Sequence, residues 1–98
     1  MFVRVIKSYR DVVAVCDSDL LGRIFEEGDF QLEVKENFYK GDEMDEKKTA
    51  EIMQRMAEED ATFNIVGKKS VSIAIKKGII SEQGIRTIQG IPFAMVLS

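Results

Sequence analysis

The stretch that decides the fold is Asn64-Ile65-Val66-Gly67-Lys68-Lys69-Ser70-Val71-Ser72-Ile73-Ala74-Ile75-Lys76-Lys77, followed by Gly78. With period two, Val71, Ile73 and Ile75 alternate with Ser72, Ala74 and Lys76, which marks a half-buried strand. With helical period, Asn64 is an N-cap, Gly78 is a C-terminal stop, and Val71, Ala74, Ile75 and Gly78 share one face. Lys68, Lys69 and Lys76 then lie opposite, Lys77 sits at their edge, and Ile73 is poorly placed. The end signals and the segregated lysines favour a helix from Asn64 to about Lys77.

Upstream of this stretch, Asp42–Asp60 is the clearest helix. Thr49, Ile52, Met53, Met56 and Ala57 follow helical spacing, Asp45 suits an N-cap, and Glu46 suits the positive end of the dipole. Phe38-Tyr39-Lys40-Gly41 precedes it as a closing segment. Phe30–Lys35 alternates, with Phe30, Leu32 and Val34 on one face, after a turn at Glu26-Glu27-Gly28-Asp29. Asp17-Ser18-Asp19 caps a short turn ending near Gly22. Phe2–Lys7 and Val12–Cys16 are strand-forming runs across the polar break Ser8–Asp11, which reads as a hairpin. Downstream, Ile85–Gln89 and Phe93–Leu97 read as strands, with Pro92 at a strand start or edge. Strands come first and last with helices between. The expected fold is α+β, a single small domain over residues 1–98: a mostly antiparallel sheet with helices packed on one face.

Ninety-eight residues suit one core, and 45% apolar with 32% charged residues is a globular composition. Charge is sharply divided. Residues 1–60 carry 9 basic and 16 acidic side chains, net −7, while residues 61–98 carry 5 basic and 1 acidic, net +4. The overall charge of −3 argues against general coating of nucleic acid. A lone cysteine points to a reducing compartment. The longest uncharged stretch, Thr87–Ser98, is too short to span a bilayer, so the expected location is cytoplasmic.

There is no histidine to serve as base or metal ligand. Cys16 stands beside Asp17, whose charge would raise the thiol pKa, the wrong direction for a nucleophile. It reads as a core cysteine. A calcium loop starting at Asp17 fails because Leu21 occupies a ligand position. Gly67-Lys68-Lys69-Ser70 resembles part of a phosphate loop, but Thr62 stands where a glycine is required and Lys69 interrupts the Lys-Ser pair. A phosphate near Gly67 and Lys68 stays possible on the general affinity of helix N-termini for anions. Met53 and Met56 read as core beside Ile52, and Phe38 and Tyr39 as packing residues without a basic-aromatic signature.

Taken together, Val15-Cys16-Asp17 with Leu21-Gly22, Leu32-Glu33-Val34, Phe38-Tyr39-Lys40-Gly41, Asn64-Ile65-Val66-Gly67 and Gly90-Ile91-Pro92 make the chain resemble the archaeal domain-of-unknown-function family numbered 424. The resemblance implies an archaeal cytosolic protein and the helical reading of residues 68–77. It implies no activity, cofactor or catalytic residue. Phe93 stands where the family pattern often has a histidine after the proline.

No catalytic residue, metal ligand or cofactor is assigned from the sequence. The leading reading is a non-catalytic binding module associated with RNA or translation, contacting phosphates through Lys68, Lys69, Lys76, Lys77 and Arg86. The alternatives are a protein–protein adaptor, or one pairing with a second copy, and a small enzyme using Cys16 or nearby carboxylates. A flat basic face would favour RNA, a large apolar patch the adaptor, and a perturbed group in a deep pocket at Cys16 the enzyme.

Overall fold

Val12–Cys16 is apolar at every position, so a strand built from it has to be covered on both faces. The computed structural model, which describes residues 1–97, does this. In chain order the elements are β1 (Phe2–Ile6), β2 (Val12–Cys16), a 3-10 turn at Ser18–Leu20, β3 (Ile24–Glu27), β4 (Phe30–Glu33), α1 (Glu36–Tyr39) and β5 (Asp42–Glu43). There follow α2 (Glu46–Glu58), β6 (Thr62–Val66), α3 (Lys68–Lys76), a 3-10 turn at Glu82–Gly84, β7 (Arg86–Ile88) and β8 (Ile91–Val96).

Six strands form one sheet in the order β5-β1-β2-β6-β8-β7, and β3 and β4 form a separate hairpin. The pair β2–β6 is parallel, and every other pair in the large sheet is antiparallel. Alternation along the strands sends Val3, Val13, Val15, Phe63 and Ile65 to one face, where α2 (Met53, Met56) and α3 (Val71, Ile73, Ala74) cover them. Ala14, Cys16 and Val66 go to the other face, under Phe25 of β3, Val34 and Tyr39 of α1. The fold is α+β, with the two long helices on one face and the small hairpin on the other.

The deciding stretch divides at Gly67. Asn64 does not cap a helix; it lies within β6, opposite Ala14 on one side and Met95 on the other. Phe63 and Ile65 alternate with Asn64 there, and sheet pairing on both edges of the strand outweighs the capping signal. Residues 68–76 are helical, as the lysine segregation indicates. Ile73, which fits a one-sided helix poorly, is 2% exposed, because α3 packs against α2 as well as β8 and so buries a wider arc.

Other boundaries shift for local reasons. The expected helix at Asp42–Asp60 begins only at Glu46, since Asp42 and Glu43 pair with Val3 and Phe2. Asp45 does cap it, accepting the Lys48 N–H at 2.8 Å. The turn expected at Glu26–Asp29 narrows to Gly28-Asp29, and Ile24–Glu27 forms a strand against β4. Phe30 is 71% exposed, so the inward face of Phe30–Lys35 is carried by Leu32 and Val34 alone. Pro92 is the second residue of β8, opposite Thr87 of the edge strand β7.

Candidate functional site

The chain leaves the carboxyl ends of the parallel pair in opposite directions. After β2 it passes to the hairpin face, and after β6 it enters α3 on the helix face. A divergence of this kind opens a crevice at the strand ends, and a cleft of about 760 Å³ lies there. Asp17, Ser18, Asp19, Leu20, Met44, Asp45, Glu46, Lys68, Lys69 and Ile91 help to line it.

Asp17 ties the two diverging segments together. Its carboxylate accepts the Lys69 N–H at 3.1 Å, the Ser70 N–H at 2.9 Å and the Ser70 hydroxyl at 2.7 Å. It is 8% exposed, and Ser70 is fully buried. A carboxylate on exposed N–H groups at a helix start satisfies donors and complements the dipole. Gly67 permits the approach: its φ is +112°, and a Cβ there would lie 2.3 Å from the Asp17 carboxyl carbon. The phosphate considered near Gly67 and Lys68 would therefore have to compete with a resident carboxylate.

The five basic residues singled out from the sequence do not share one depression. Lys68 and Lys69 line the cleft among carboxylates. Lys76 lies 3.7 Å from Glu46 and shares with Lys77 a smaller depression that Glu46, Ala50, Glu51 and Ile73 also line. Glu46 and Glu51 of α2 thus lie beside the lysine-bearing α3. Arg86 stands on β7 and lines a different groove.

That groove has a volume of about 570 Å³ and runs between the hairpin and β7. Phe30, Leu32, Ile85 and Phe93 supply its apolar lining, with Glu27, Gln31, Arg86 and Thr87 around them. The hairpin covers only part of its face of the sheet, so Phe30 stays 71% and Met95 57% exposed. Gln89 anchors the hairpin, donating its N–H to the Glu27 carboxylate at 2.8 Å and its side-chain amide to the Glu26 carbonyl at 2.6 Å. Neither the groove nor the reach of Asp17 to α3 is visible in sequence spacing. The one available signal is the apolar pair Phe30 and Phe93 beside turn residues, which sequence alone assigns to the core.

Cys16 is fully buried. Burial first, and the Asp17 charge second, push its thiol up to about 11, so the thiolate is disfavoured at neutral pH. Burial likewise raises Tyr39 to about 12. Among the described residues no group of three or more His, Cys, Asp or Glu side chains is placed to hold a metal ion, and no helix is long and apolar enough to cross a membrane.

The chain is similar in fold to a protein whose structure is described as "Crystal structure of an uncharacterized conserved protein from Methanopyrus kandleri", with a TM-score of 0.86 and 24% identity over 97% of this chain and 88% of that one. No curated protein matches the chain. The family model described as "Protein of unknown function (DUF424)" matches residues 6–98, and the chain belongs to that family.

Proposed function

We propose that the protein is a non-catalytic binding module that takes a short extended segment of a partner protein in the groove between the hairpin and β7. The observation that supports this reading most is the position of the groove beside the open edge of the sheet. β7 pairs with β8 alone, so its outer backbone groups offer main-chain pairing while Phe30, Leu32, Ile85 and Phe93 offer side-chain contacts. This combination is the mode of strand addition. A groove of about 570 Å³ lies in the size range of ligand clefts.

The test is selection of short peptides from a random displayed library, followed by affinity measurement. Strand-forming apolar peptides should be selected. Phe30→Ser and Arg86→Glu, both at exposed positions, should weaken them at least about tenfold while sparing the fold. Failure to select peptides, or equal binding by Phe30→Ser, overturns the reading.

Contact with RNA phosphates, in a protein of archaeal cytoplasm associated with translation, is the second reading. It rests on Lys68, Lys69 and Lys77, which are exposed on one helix and have no ion pair among the described residues. Titration with structured and single-stranded RNA at several salt concentrations tests it. Lys68→Ala with Lys69→Ala should lower both affinity and salt slope, whereas Arg86→Ala, at the other groove, should change little. Absence of binding at low salt rejects this reading.

A further inference from the structure

We propose that the cleft at the carboxyl ends of β2 and β6 binds a small zwitterion of amino-acid type. It lies where the chain leaves the two parallel strands toward opposite faces of the sheet, and its volume of about 760 Å³ lies within the range of small-molecule sites.

The argument turns on which charges are already used. Asp17 is committed to the start of α3, Asp45 to the start of α2, and Glu46 faces Lys76. The Met1 ammonium, which also lines the cleft, donates to the Met44 carbonyl at 3.0 Å, and three charged side chains remain: Asp19, Lys68 and Lys69. All three are exposed, and their side chains make no hydrogen bond or ion pair among the described residues.

This set selects against ligands of a single sign. An inorganic phosphate would find the N–H groups of Lys69 and Ser70 already given to Asp17 and would face the Asp17 and Asp19 carboxylates. A polyamine would face two lysines. A ligand with a carboxylate for Lys68 and Lys69 and an ammonium for Asp19 satisfies all three groups with charge-assisted hydrogen bonds. Leu20, Met44 and Ile91 also line the cleft and provide apolar surface for the ligand's side chain. The charges set the class, and these side chains favour an apolar member of it.

The experiment is a titration of isotopically labelled protein with L-leucine, N-acetyl-leucine, leucine methyl ester and inorganic phosphate, followed by amide shifts. Leucine should move the amides of Asp19, Leu20, Lys68 and Lys69 in a saturable way. Each blocked derivative lacks one charge and should bind at least about tenfold more weakly, the worth of one charged hydrogen bond. Asp19→Asn and Lys69→Gln alter exposed side chains and should reduce leucine affinity by a similar factor without changing the rest of the spectrum. The proposal is overturned if leucine causes no saturable shift at the cleft. It is equally overturned if either blocked form binds as well as leucine, if both variants bind unchanged, or if phosphate saturates the cleft and leucine does not. The displayed-peptide selection reads a different surface, so the two results are separable.

Discussion

At the scale of single residues, Asp17 and Gly67 form a close-fitting pair. Removing the carboxylate leaves two backbone N–H groups and the buried Ser70 hydroxyl without their acceptor. Asp17→Ala should therefore cost roughly 1–3 kcal/mol, read from urea denaturation. Gly67→Ala should also destabilise, through its positive φ and the approach of a new Cβ to Asp17. In an Asp17→Ala background only the backbone strain remains, so the second substitution should cost less than it does alone. A double-mutant cycle measures that difference. In sequence, Asp17 is legible as a capping residue, but of the short turn that follows it. Its actual donors lie 52 and 53 positions away, and no local spacing encodes so distant a pairing. The core role of Cys16 is legible from its four apolar predecessors.

Among elements, legibility follows length and contact. The β1–β2 hairpin and the long α2 follow from alternation, polar breaks and a helical stripe. Short elements escape: α1, β3 and β5 are too brief for periodicity and exist because partners hold them. The β6–α3 boundary is legible only as a segregated lysine face, since Asn64 mimics a helix cap inside a strand. The two Asx positions should consequently behave differently in chemical denaturation. Asp45→Ala removes a true cap, the bond from the Lys48 N–H, and should cost about 1 kcal/mol. Asn64→Ala removes no side-chain hydrogen bond among the described residues and should stay within about 0.5 kcal/mol. The candidate surfaces were half legible in the same way. Lysines can be counted in a sequence, whereas their placement beside the acids of α2, and the partial cover of the second sheet face, depend on packing.

For the whole molecule, two buried acids set the alkaline limit. Cys16 rises from 9.0 to about 11 and Tyr39 from 10.0 to about 12, chiefly by burial. The folded chain thus keeps both protons at pH values where the unfolded chain releases them. Their stabilising contribution is complete below pH 9, falls between 9 and about 11 for Cys16, and falls between 10 and about 12 for Tyr39. The thermal midpoint should decline progressively above pH 9, and Tyr39→Phe should flatten the upper part of that decline, as melting curves across this range would show. The lone parallel pairing in the sheet has a kinetic consequence. β1 with β2 and β7 with β8 are zipped by nearby antiparallel contacts, whereas the parallel β2–β6 pairing and the bond from Ser70 to Asp17, 53 positions apart, join distant parts of the chain. Closing so long a loop is the entropically costly event. Pairing along the β2–β6 seam is therefore the step expected to limit the folding rate.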